Sequence, residues 1–320
     1  LSAEQLGFDG MPRRLYTCTP SRLNTWLDCP RRYRMTYLDR PMPPKGPPWA
    51  HNSVGASVHN ALAGWWRLPP GGRTPEAAGS LLVRGWLTDG FRDDAQSARW
   101  RDRAREMTER YAAGLDPSDE PVGVERTVAT RTDRIAVSGR IDRLDARGSE
   151  LAVVDYKTGR RVPTSDDARG SLALAIYAVA ASRVLRRPCH RVELHHLPSG
   201  EVAAWDHTDE SLSRHIRRAE QIASEAADAD EGYRALAGGV GGRPPTEGRA
   251  MTGAVPKPRV GDARPAAVDH APYDELFPPR TGNLCSWCDF ARHCPEGQEA
   301  APRKEPWAAL PADDEGQVDA

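Results

Sequence analysis

Between residues 122 and 156 the apolar pattern of this chain switches from a helical period to that of short strands, and that switch constrains the fold more than any other feature. Residues 122–129, 135–144 and 151–156 read as successive antiparallel strands, with turn residues in the connections RTDR and DARGSE. Helical pattern lies on both sides. Thr19-Pro20 reads as an N-cap followed by proline in the first turn, opening helical sequence to about residue 38 with a break near Cys29-Pro30. Residues 39–53 are a proline-rich loop, and 54–67 and most of 76–115 are helical. After the three strands come a helix at 171–185, strands at 190–197 and 201–205, and a helix over 209–236. This order predicts an α/β fold with a central mixed β-sheet flanked by helices. A loose lead-in is expected over 1–14, one domain over 15–300, a mobile loop rich in Gly, Pro and Arg over 237–270, and a disordered acidic tail over 301–320.

The strand over 135–144 carries Asp142, and the next strand runs straight into Asp155-Tyr156-Lys157. Side chains two apart on a strand share a face, so Asp155 and Lys157 point the same way. With Leu144 set opposite Leu151, Asp142 lies opposite Val153, and Asp155 is its diagonal neighbour on the same face, about 7–8 Å away. A slip of one residue would turn Asp142 to the other face. The hard oxygens of the two carboxylates suit Mg²⁺ or Mn²⁺. Such an ion can activate water and stabilise charge on a phosphate, and the ammonium can orient that water or stabilise the developing charge. A salt bridge among Asp155, Lys157 and Arg140 is the structural alternative. Only four of the 44 basic residues are lysines (Lys45, Lys157, Lys257 and Lys304), and the other three fall in expected loops or the tail. A lysine at a strand end therefore suggests a place for a compact ammonium where a guanidinium does not fit.

Net charge is −1, so any nucleic-acid footprint must be local. One candidate is residues 13–40, where arginines interleave with Tyr16, Trp26, Tyr33 and Tyr37. These could serve phosphates and bases, or the aromatics could be core beneath a solvated helix face. No run of 18 uncharged apolar residues argues for a membrane span. Six cysteines are too few for a disulfide scaffold of this length, which points to metal in a reducing, cytoplasmic setting. Cys285, Cys288 and Cys294 are spaced C-x₂-C-x₅-C, and Cys29 is the natural remote fourth. Zinc or an iron–sulfur cluster could sit there, with His293 as a competing zinc ligand. Cys18 and Cys189 read as buried structural thiols. There is no GxxxxGK[ST], so a helicase motor would have to be a separate protein.

Five stretches, GASVHNALAGWW (55–66), VERTV (124–128), SGRIDRLD (138–145), LAVVDYKTGRR (151–161) and LALAIYAVA (172–180), resemble in order and spacing the RecB-like branch of the PD-(D/E)XK nucleases. The resemblance implies a restriction-endonuclease-like core. It implies metal binding by His59, Asp142, Asp155 and the backbone carbonyl of Tyr156, and catalysis by Asp142, Asp155, Lys157 and Tyr177, with Glu125 in a supporting role. The family helix usually reads QLxxY, and here Ala173 stands at the glutamine. SRLNTWLDCPRRYRMTYL and FPPRTGNLCSWCDFARHCP are similar to segments of AddB-type recombination nucleases and CRISPR-adaptation nucleases that hold a [4Fe–4S] cluster. That likeness implies Cys29, Cys285, Cys288 and Cys294 as its ligands, joining the N- and C-terminal helical segments. The implied function is a stand-alone, Mg²⁺- or Mn²⁺-dependent exonuclease on DNA ends or single strands in repair or recombination, with a helicase or repair protein as a separate partner. Two rivals follow from the same residues. One is an iron–sulfur DNA-binding scaffold of weak or lost activity, motivated by Ala173. The other is a zinc-ribbon protein whose acidic face is structural.

Overall fold

The computed structural model describes residues 15–239 and 271–310. Six strands form one mixed sheet: β1 (Tyr16–Cys18), β2 (Gly123–Arg131), β3 (Ile135–Arg147), β4 (Glu150–Lys157), β5 (Arg191–His196) and β6 (Val202–Asp206). β4 is the central strand. Leu151, Ala152, Val153 and Val154 are all fully buried, as expected of a strand covered on both faces between antiparallel β3 and parallel β5.

β3 organises the rest. β2 runs antiparallel along one edge of it, from Ala136 to Leu144. The opposite edge is divided: β1 pairs with residues 135–137 and β4 with residues 143–147. Residues 138–142 therefore have no strand beside them on that edge, and the sheet forks there. Gly139 lies within the fork, where a Cβ would run into the ring of Tyr177.

Nine helices surround the sheet among the described residues: α1 (Pro20–Asp28), α2 (Pro30–Tyr37), α3 (Ala50–Trp66), α4 (Pro75–Arg84), α5 (Asp94–Ala113), α6 (Ser165–Gly170), α7 (Leu172–Leu185), α8 (Asp209–Gly239) and α9 (Pro295–Ala300). Val54, Val58 and Leu62 of α3 pack on Val154 and Tyr156. Leu174, Ala175 and Ala178 of α7 cover Leu144, Val153 and Val192. The expected α/β architecture is present. None of these helices is long and apolar enough to cross a membrane. The sequence reading lacked β1 and α6. β1 is three residues long, and α6 is a single capping box in which Thr164 and Asp167 bond each other's backbone amides.

Two expectations change, and one open choice is decided. Leu144 faces Val153 rather than Leu151, because β3 continues to Arg147 and turns over only Gly148 (φ +61°) and Ser149. The error is two residues, an even number, so Asp142 keeps its face. Of the two readings of the Arg- and Tyr-rich N-terminal stretch, the aromatic core is the one found: Tyr33 and Trp26 are buried, and Arg31 and Arg34 with them. Arg22 stacks on Tyr16, Tyr33 and Tyr37 and pairs with Asp230. Finally, residues 301–310 are structured. The Pro306 carbonyl accepts from Ala50 N–H at the start of α3, where Trp49 supplies no side-chain cap, and Leu310 packs against the α3 cluster. The lead-in over 1–14, the arginines of 241–260, Lys257 and residues 311–320 lie outside the described residues. Of the loop expected over 237–270, residues 237–239 belong to α8.

Candidate active site

Three carboxylates stand in a row across three neighbouring strands. The register pairing Val124 with Arg143 and Arg126 with Ile141 sets Glu125 opposite Asp142. The register pairing Arg143 with Val154, carried one step on, sets Asp142 opposite Asp155. Like charges directly across strands are unfavourable, and each of the three has its own cation. Arg140 Nε is 2.7 Å from Glu125 Oε2. His59 Nδ1 is 3.4 Å from Asp142 Oδ1. Lys157 Nζ is 2.5 Å from Asp155 Oδ2.

The backbone of Tyr156 is clamped between two of these groups. Its N–H donates to Asp142 Oδ2 at 2.9 Å, replacing the ladder bond lost where β3 and β4 part. Its carbonyl lies 3.2 Å from His59 Nε2. α3 brings His59 to this point because Val54, Val58, Ala61 and Leu62 hold the helix down on β4. Glu125 sits at φ +48°, a left-handed conformation for a non-glycine residue. Such a conformation costs about 1–3 kcal/mol and gathers at functional sites.

Burial is the main force raising the Asp155 carboxyl above its usual range. Asp142 adds to it, against Lys157 and His59. Burial likewise raises Glu125, with Arg140 opposing. For His59, burial acts downward, but Asp142, Asp155 and Glu125 together outweigh it and hold the imidazole above its ordinary value. Tyr177 is raised by burial and then by Asp155 and Asp142, which places its hydroxyl in the field of the same carboxylates.

One ligand atom from each of His59, Glu125 and Asp142 lies within 4.8 Å of the others. Two hard carboxylates and an imidazole fit Mg²⁺ or Mn²⁺. This trio differs from the set read in the sequence. Glu125, given a supporting role there, is inside it. Asp155 stands next in the row, and its Oδ2 is buried without an aligned hydrogen bond although the Lys157 ammonium touches it. The Tyr156 carbonyl faces the same imidazole. His59, Glu125, Tyr156 and Lys157 line an open cleft of about 450 Å³ that also receives Arg140, Arg160, Trp100 and Leu310. Sequence reasoning missed the pairing of Arg140 with Glu125, although carrying the register across the RTDR turn would have found it.

Cys29, Cys285, Cys288 and Cys294 line one small cavity of about 40 Å³, and none forms a disulfide. Among the described residues, no three of their sulfurs lie within 4.8 Å of one another. A tetrahedral zinc site would hold thiolates about 3.8 Å apart, so the four do not form a closed zinc site. Arg31 Nη1 and Arg280 N–H each donate toward a sulfur, of Cys294 and Cys29 respectively, at 3.5 Å. His293, the competing ligand, has its Nε2 3.0 Å from the Pro44 carbonyl. Cys18 and Cys189 are buried, and burial pushes their thiols up to about 11 and about 12.

No curated protein matches the sequence. Among solved structures, the chain is similar to a candidate exonuclease from Eubacterium rectale at 10% identity and a TM-score of 0.42, over 68% of this chain and 82% of that one. The sequence matches the PD-(D/E)XK nuclease superfamily across residues 17–295, a span that holds the carboxylate row, its three cations and all four cysteines of the cavity, and the chain belongs to that superfamily.

Proposed function

We propose that this protein is a divalent-metal-dependent deoxyribonuclease acting on free DNA ends or single strands in repair or recombination, stapled by a [4Fe–4S] cluster. The observation that carries the reading is the row of Glu125, Asp142 and Asp155 beside His59 and Lys157, with Glu125, His59 and Lys157 lining an open cleft. An ion held by His59, Glu125 and Asp142 would supply Lewis acidity to a phosphodiester and to water. The rest is done by the chain. Lys157, half-exposed and tethered to Asp155, presents an ammonium to a phosphate oxygen where negative charge develops. Asp142 and His59 fix the Tyr156 backbone and so the aim of its two neighbours, Asp155 and Lys157. Arg140 and Arg160 line the same cleft and attract a phosphate backbone.

The cluster reading is supported by four cysteines around one cavity, none of them in a disulfide. The weak-activity reading has one observation in its favour. Ala173 stands one turn before Tyr177 on α7 and brings no polar group to the site.

The test is cleavage of end-labelled single-stranded DNA by anaerobically purified protein with Mn²⁺, Mg²⁺ or EDTA. Metal-dependent products are expected from the wild type, together with bound iron and sulfide. A folded, DNA-binding wild type that yields no products would shift the assignment to a scaffold.

A further inference from the structure

Arg140 and Glu125 differ in a way that suggests a latch. Their ion pair is 2.7 Å long, but the Arg140 side chain is 69% exposed and Glu125 only 14%. Only the guanidinium can leave the pair without burying or exposing a charge. The carboxylate cannot follow it. Its backbone is held at φ +48° in β2, and its oxygen already lies among the atoms of His59 and Asp142. On the other side, Gly139 is packed against Tyr177, so the main chain before Arg140 is fixed and the guanidinium moves on its own side chain.

Arg140 also lines the cleft. A guanidinium is a planar fork that matches a phosphate better than it matches one carboxylate oxygen. A carboxylate in a short ion pair shares its lone pairs with the guanidinium and is a poorer metal ligand than a free one. We propose that Arg140 is a positioning residue that withholds Glu125 from the divalent ion until a nucleic-acid phosphate takes the guanidinium. The inference rests on the nuclease reading and adds substrate-gated metal binding to it. By linkage, the nucleic acid then tightens the ion by the same factor as the ion tightens the nucleic acid.

The experiment measures Mn²⁺ affinity without nucleic acid, from the free-Mn²⁺ electron paramagnetic resonance signal, so no turnover is needed. The proteins are the wild type, Arg140→Met, Glu125→Gln, the double variant, and Arg67→Met. Arg67 lies in the field of Glu125 and serves as the charge-only control. Arg140→Met is expected to bind Mn²⁺ about tenfold more tightly than the wild type, in the ordinary range of coupling between sites. The same change in the Glu125→Gln background is expected to alter affinity less than about twofold, because the paired group is gone. Arg67→Met is expected to fall well short of Arg140→Met. Equal gains from Arg140→Met in both backgrounds, or from Arg67→Met, would reduce the effect to net charge and overturn the latch. Unchanged affinity in Arg140→Met would overturn it as well. Folded proteins of which none, Arg140→Met included, binds Mn²⁺ with or without nucleic acid would instead sink the nuclease reading, and the latch with it.

Discussion

Glu125, Asp142 and Asp155 meet through adjacent strands, whereas Cys29 meets Cys285, Cys288 and Cys294 from the far end of the chain. In the first region the backbone ladder sets the spacing. Once β2, β3 and β4 pair, the three carboxylates can only line up, and the nearby cations settle the repulsion. In the second region no ladder links the partners. Side-chain contacts join them: buried Arg31 pairs with Asp274 and Glu296, and Arg280 reaches back to the Leu27 carbonyl. A site built on register survives loss of its ligand. A site closed across a long chain segment gains most from a ligand such as the proposed cluster, because closing that segment is where the entropy is spent.

The largest expected effect attacks the second region. Cys29→Ser should cost about 5 kcal/mol of unfolding free energy, by analogy with cross-links that close long loops. Iron should be lost, and the Mn²⁺ affinity of the cleft should stay near wild type. Urea unfolding with metal analysis checks this, and an unchanged midpoint would mean the cysteines are not a staple. The next effect attacks the first region. Lys157→Ala should lower single-turnover cleavage by about 10³-fold, with a melting temperature close to wild type because the side chain is half-exposed. Cleavage at the wild-type rate would break the site assignment.

A third prediction tests how firmly the sheet itself is held. Glu193 on β5 is buried, and its Oε2 lies 2.8 Å from His195 Nε2, with Arg191 and Arg147 alongside. Burial acts to raise it, but His195 and the arginines bring the carboxyl down to about 2 from 4.5. Its folded value is depressed, so its contribution is fully present above pH 4.5 and is lost as pH falls toward 2. That contribution is about 2–3 kcal/mol. Acid titration of stability should be shallower in this window for Glu193→Gln. Parallel curves would show that the ion pairs are idle.

The first region was far more legible in the sequence than the second, for a physical reason. Strand alternation is a local signal, so Asp142, Asp155 and Lys157 could be put on one face from spacing alone, and a two-residue error in register left them there. His59 and Tyr177 come from helices, and no spacing rule sets a helix against a strand; only the family resemblance joined them to the site. The division of the β3 edge depends on where β1 ends and β4 departs, and alternation encodes neither that nor the left-handed φ of Glu125. The aromatic and arginine stretch around Tyr33 stayed open between two readings because composition does not say which arginines are paired and buried. Here Arg31 and Arg34 are core residues.

The smallest predicted effect sharpens the comparison most, because it separates the proton from the metal at one atom pair. His59 is held above 6.5 by its three carboxylate neighbours. In metal-free protein a raised folded value gives stability that is complete below about pH 6.5 and disappears as pH rises through the raised value. A metal ligand must be deprotonated, so the ion and the proton compete for this imidazole. Below the raised value, Mn²⁺ affinity should fall about tenfold per pH unit from this one proton. Metal-free stability should change in the opposite sense over the same range. His59→Asn should flatten both curves. Mn²⁺ titrations and melting curves between pH 5.5 and 8.5 check the pair. If the two slopes share a sign, His59 is not where metal and proton meet, and the ion would have to be held by the carboxylates without it.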